Sequence, residues 1–134
     1  MGETGRVTVR TRLDADQARR EGRRLAVSIG FDRGDAEQVA LAVSELAMNL
    51  FRYAPGGEII LRQVQDGIRI GLEIESLDTG PGITHPDLAL QDGYTTGGGL
   101  GSGLPSARRL MDDFVLRTGS TGTRIVASKW LRSR

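Results

Sequence analysis

Cysteine is absent from this 134-residue chain, and histidine and lysine occur once each, as His85 and Lys129. Without cysteine there is no disulfide, no thiolate nucleophile and no Cys-ligated zinc, and an intracellular setting is allowed. The lone histidine stands beside Pro86, a loop context, so a Ser-His-Asp triad or a His-rich metal site would rest on one badly placed residue. The lone lysine follows serine, which excludes the Gly-Lys pair of a P-loop, and no stretch supplies glycine at i, i+2 and i+5 as the dinucleotide fingerprint requires. No window approaches the roughly 20 apolar residues of a membrane span. The Met-Gly-Glu-Thr-Gly-Arg start lacks an apolar stretch, and a myristoylation pattern at Gly2 fails at Arg6, so a cytoplasmic location is expected. A net charge of +1 excludes general attraction to nucleic acid or to a membrane; whatever binds here binds locally.

What is present suits one domain, 1–134, burying roughly two-thirds of the surface its unfolded chain exposes. Val7 and Val9 alternate with Thr8 and Arg10, as in a half-buried first strand over 6–12. Asp14 reads as a helix cap, followed by Ala18, Leu25, Ala26 and Ile29 at helical spacing. Arg19, Arg20, Arg23 and Arg24 fill the other side, either as a solvated face or as a docking surface for an acidic partner. Residues 35–53 form the strongest helix pattern. Val39, Val43, Leu46, Ala47 and Leu50 make its apolar stripe, and Glu45, Asn49 and Arg52 lie on a different side.

Pro55-Gly56-Gly57 ends that helix and begins a hairpin with arms 58–64 and 68–78 joined at Asp66-Gly67. The glycine-rich stretch 78–103 is long for a connection and so is expected to be functional or mobile. A short helix over 104–111, with Pro105 in its first turn, leads to a final hairpin of 114–118 and 123–130. This order predicts an α+β two-layer sandwich: a mixed, mostly antiparallel sheet with helices on one face.

The chemistry gathers in three segments. Glu45-Leu-Ala-Met-Asn49 places a carboxylate and an amide one turn apart, with Cβ atoms roughly 6 Å apart, close enough to share one metal-bound phosphate. Asn49 offers the neutral oxygen that Mg2+ accepts beside waters and phosphates, and Glu45 could take a proton from an attacking hydroxyl or water. Asp78-Thr-Gly-Pro-Gly82 ends an apolar strand with a carboxylate able to accept from an adenine amine, or simply to cap a turn. Gly97-Gly-Gly-Leu-Gly-Ser-Gly103 runs into a helix start, where free N–H groups favour an anion; a flexible loop is the plainer alternative. Each segment alone is weak.

In this order and spacing, with Thr121-Gly122-Thr123 closing the set, the segments resemble the N box and glycine boxes of the GHKL ATP-binding superfamily, whose fold is the Bergerat sandwich. Arg52-Tyr53-Ala54, Gln91-Asp-Gly-Tyr-Thr-Thr-Gly97 and Gly103-Leu-Pro-Ser-Ala-Arg-Arg-Leu-Met-Asp112 narrow the resemblance to stressosome switch serine/threonine kinases, siblings of anti-sigma-factor kinases. It covers nearly the whole chain.

The resemblance implies Asn49 as the Mg2+ ligand, Glu45 as general base and Asp78 on the adenine amino group. Gly80 and Gly82 would line the base pocket, and Gly97, Gly98, Gly99, Leu100, Gly101 and Gly103 would form the phosphate loop. Arg52 would touch phosphate and Thr123 would support the adenine side. Ser102 stands where many relatives carry an apolar residue. ATP and Mg2+ are the implied cofactors. The implied partners are STAS-domain proteins and, on release, a PP2C-type phosphatase regulatory region or a sigma-pathway protein, with room for a homodimer. Sensor histidine kinases share the fold but need a phosphoacceptor helical hairpin that this chain lacks. A nucleotide-gated sequestration module is the alternative, and a stand-alone ATPase of the chaperone or mismatch-repair kind fits less well.

Overall fold

The computed structural model describes residues 2–54, 56–80, 82 and 103–132. Its elements run β1 (Thr4–Val9), α1 (Arg12–Ile29), α2 (Arg33–Tyr53), β2 (Gly57–Asp66), β3 (Arg69–Asp78), α3 (Leu104–Leu110), β4 (Asp113–Gly119) and β5 (Gly122–Trp130). The strands form one five-stranded sheet in the order β1-β2-β3-β5-β4. Each of its pairings is antiparallel, so the expected mostly antiparallel sheet is wholly so among the described residues.

Alternation along the strands divides the sheet into two faces. Val7 and Val9, Ile59 and Leu61, Leu72 and Ile74, and Ile125 and Ala127 are buried on the face toward the helices. There they meet Ala18, Leu25 and Ala26 of α1 and Val39, Val43, Leu46 and Leu50 of α2 in a single core. Each fully buried Leu or Ile contributes roughly 1.5–3 kcal/mol. The two helices touch closely because Gly22 has no side chain: a Cβ there would come within 2.9 Å of Val43 Cγ2.

Local chemistry moves several expected boundaries. Thr11, not Asp14, is the N-cap of α1; its hydroxyl accepts from Asp14 N at 3.2 Å while Asp14 accepts from Thr11 N, a reciprocal capping box. Asp32 caps α2 by accepting from Asp35 N at 2.8 Å, so that helix starts two residues before the apolar stripe suggests. The β2–β3 turn is Gly67-Ile68 rather than Asp66-Gly67, because Asp66 pairs with Arg69 and Gly67 takes φ 62°. Ile68 is therefore a turn residue, 95% exposed, and not the first apolar position of β3. The first strand is Thr4–Val9, and the short helix ends at Leu110.

On the arginine side of α1, Arg23 donates to Glu37 at 2.9 Å and Arg24 donates to Glu21 at 2.6 Å. Arg19 and Arg20 have no ion-pair partner among the described residues. Exposed pairs of this kind contribute about 0–1 kcal/mol.

The opposite sheet face carries no described helix. Glu75 lies there, 5% exposed, between an Arg62 donor at 2.8 Å and an Arg124 donor at 2.5 Å. Burial pushes its carboxyl up, but the Arg124 and Arg62 hydrogen bonds outweigh burial and hold it below the ordinary glutamate range. A depressed folded-state value means a contribution present above the unfolded value and lost as pH falls through the folded one. Glu75→Gln is expected to cost about 1–3 kcal/mol at pH 7, because Arg124 loses its charged acceptor and Arg62 keeps only Glu73. Its stability should also fall less steeply than that of the wild type below about pH 4.3 in urea melts. Parallel pH curves for the two proteins would refute the assignment.

Candidate functional site

Two neighbourhoods at one end of the sandwich hold the described site residues other than Arg52. In the first, Glu45 and Asn49 lie half-buried on α2, beside its apolar stripe. The Asn49 Nδ2 position is buried and has no hydrogen-bond partner among the described residues. An amide shielded from water in this way is ordinarily satisfied. α3 docks on α2 through buried Leu104 and Ala107, which places Gly103 directly against Glu45. A Cβ on Gly103 would stand 2.2 Å from Glu45 Oε2 and 3.4 Å from Glu45 Cβ, so only glycine leaves the carboxylate its position.

The second neighbourhood is the end of β3. Asp78 pairs in register with Thr123 of β5 and Gly57 of β2. Its Oδ1 accepts from Gly80 N at 2.8 Å, so the turn-capping role exists, and one carboxylate oxygen remains for another donor. Gly80 is buried, and Gly82 takes φ 84° with its Cα so near β4 that a Cβ would come 2.2 Å from Gly119 O. Thr123 is 8% exposed and shares a 2.8 Å hydrogen bond with Thr118. Thr118 went unnoticed in the sequence; only the register Thr118↔Thr123 gives it a place here. A groove runs along this end, lined by Asp78, Thr118, Gly119, Gly122 and Thr123.

Leu50 joins the neighbourhoods. It follows Asn49 on α2, and its Cδ2 fills the space where a Gly57 Cβ would sit, at 2.8 Å. Gly57 is the register partner of Asp78. Arg52 is exposed, and its guanidinium lies 6.0 Å from the Phe51 ring centroid rather than against either neighbourhood. Gly97, Gly98, Gly99, Leu100 and Gly101 lie outside the described residues.

Residues 8–129 match the histidine kinase-like ATPase domain. The chain belongs to that family. Within the histidine kinase-like ATPases it is 43% identical over 133 residues to serine/threonine-protein kinase RsbT of Bacillus subtilis strain 168, spanning 98% of this chain and all of that one. Among solved structures, it superposes on the RsbU and RsbW domains of a Mycobacterium tuberculosis protein with TM-score 0.61 at 17% identity, covering all of this chain and 34% of that one. It also superposes on the mycobacterial sensor histidine kinase MprB, with TM-score 0.56 at 18% identity over 98% of this chain and all of the other. These two likenesses concern the fold. No helix among the described residues is long and apolar enough to cross a membrane.

Proposed function

We propose that this histidine kinase-like ATPase is a protein serine/threonine kinase that transfers the ATP γ-phosphate to a Ser or Thr of a STAS-domain partner in a partner-switching stress pathway. Once released, it binds a PP2C-type phosphatase as its alternative partner. The full-length identity to a serine/threonine-protein kinase supports the activity. The observation that carries the reading is the half-buried Glu45 carboxylate held against side-chain-free Gly103, one turn from the orphaned Asn49 amide.

The residues present suit ATP and Mg2+. Asn49, its amide turned to present oxygen, would hold the metal, and Asp78 with Gly80 and Gly82 would hold the adenine. Gly103 and the glycines before it would hold phosphate, with Arg52 near by and Thr123 behind the base. When bound, Mg-ATP supplies the phosphoryl group and neutralises charge as it transfers. Glu45 accepts the proton of the partner's hydroxyl, and its acceptor-only carboxylate suits that task.

Incubating the protein with Mg-ATP and a STAS-domain protein is expected to place phosphate on a Ser or Thr of that protein, and chelating Mg2+ should stop it. Tight nucleotide-dependent complexes without transfer would instead make the chain a sequestration module. Asp78→Asn is expected to weaken ATP binding more than tenfold, about 1.4 kcal/mol, because the adenine amine loses a charged acceptor. Unchanged affinity in calorimetry would remove Asp78 from the base site.

A further inference from the structure

β4 is an edge of the sheet: β5 pairs with one of its sides and no described strand pairs with the other. Edge strands offer a row of backbone donors and acceptors to any extended chain and are commonly blunted by charge. The charges on β4 have a particular order. Asp113, Val115 and Arg117 alternate on the outer sheet face and are exposed, Val115 at 47%. Arg117 has no ion-pair or hydrogen-bond partner among the described residues, and Arg124 directly across from it is engaged by Glu75. Phe114 and Leu116 point to the other face, where both are only partly covered at the margin of the core.

We propose that a second copy of this chain pairs with β4 through β4 itself, antiparallel about a two-fold axis at Val115. Antiparallel partners directly opposite share a face. The axis therefore sets Val115 against its own copy, Asp113 against the second copy's Arg117 and Arg117 against the second copy's Asp113. On the inner face Phe114 meets Leu116 of the second copy, and the reverse, which extends both cores across the junction. A closed two-fold contact uses one patch twice, and the order Asp-x-Val-x-Arg is self-complementary under that operation. It also selects the register. Shifts that keep the faces aligned oppose Asp113 to Asp113 or Arg117 to Arg117, or leave both charges facing apolar or uncharged positions, and a one-residue slip turns the valines to opposite faces. The same charges that discourage random edge pairing thus admit one partner in one register. Asp113 also accepts from Trp130 Nε1 of β5 at 2.9 Å through one oxygen, and its second oxygen stays open to an arginine. The contact is small, so the dimer is weak and exchanges readily.

Sedimentation equilibrium on the whole protein tests this. The wild type is expected to dimerise, and Val115→Lys, Arg117→Asp and Asp113→Arg should each raise the dimer Kd more than about tenfold. Circular dichroism of Val115→Lys and Arg117→Asp should be unchanged, because both side chains are exposed. Mixing Arg117→Asp with Asp113→Arg should restore association, since every charge in the mixed dimer then faces its opposite. A wild type that stays monomeric, a dimer indifferent to Arg117→Asp, or a mixture of folded variants that fails to associate would each overturn the proposal.

Discussion

Glu45→Ala is expected to lower phosphoryl transfer to a STAS-domain substrate by about 100- to 10,000-fold, the range that a positioned general base contributes. ATP affinity should stay within about threefold, roughly 0.7 kcal/mol. The separation follows from geometry. Glu45 lies beside the α2 stripe, not in it, so its removal opens no core cavity, and the orphaned amide of Asn49 is untouched. Glu45→Gln keeps the volume against Gly103 and removes the basic oxygen; it should be as inactive as alanine while melting at the wild-type temperature. Transfer by either variant at the wild-type rate would remove Glu45 from the base role. An equal loss of ATP affinity and transfer would make it part of the nucleotide cradle instead.

Gly122→Ala should destabilise the protein by more than about 2 kcal/mol, while Gly119→Ala should change it by no more than about 0.5 kcal/mol. Both glycines flank the same two-residue β4–β5 turn, and sequence alone ranks them equally. Their surroundings differ. A Cβ on Gly122 would meet Asp78 O at 2.1 Å and Thr79 Cα at 3.0 Å, and its φ of 142° is one that side chains rarely adopt. The obstacles are backbone atoms of the last residue of β3 and of the residue after it, which cannot turn aside as a side chain could. A Cβ on Gly119 would meet nothing within 4 Å. Because the clash falls on Asp78, Gly122→Ala should also weaken ATP binding. Equal denaturant midpoints for the two variants would show that β3 and β5 do not pack as described.

Much of the site was legible because its chemistry is spelled by neighbours in the chain. Glu45 and Asn49 share a helix side through their four-residue spacing, and the helix itself announces its apolar stripe. Asp78 is visible as the polar end of an apolar strand. The capping box at Thr11 was readable too, since Thr and Asp stand three apart, yet the acidic residue drew attention from the hydroxyl that does the capping. Ile68 misled because an apolar residue in phase with a strand looks like part of it; the turn geometry at Gly67 overrode that pattern.

Helix periodicity, strand alternation and short-range boxes depend on residues within a few positions of one another, so spacing pointed to the layered fold class, while the nucleotide reading came from the resemblance of the boxes, taken together, to a known superfamily. Partners across the sheet are set by register, which no local pattern encodes. That Glu75 sits between Arg62 and Arg124, that Thr118 supports Thr123, and that Gly103 stands against Glu45 were decided only when strands and helices distant in the chain packed together.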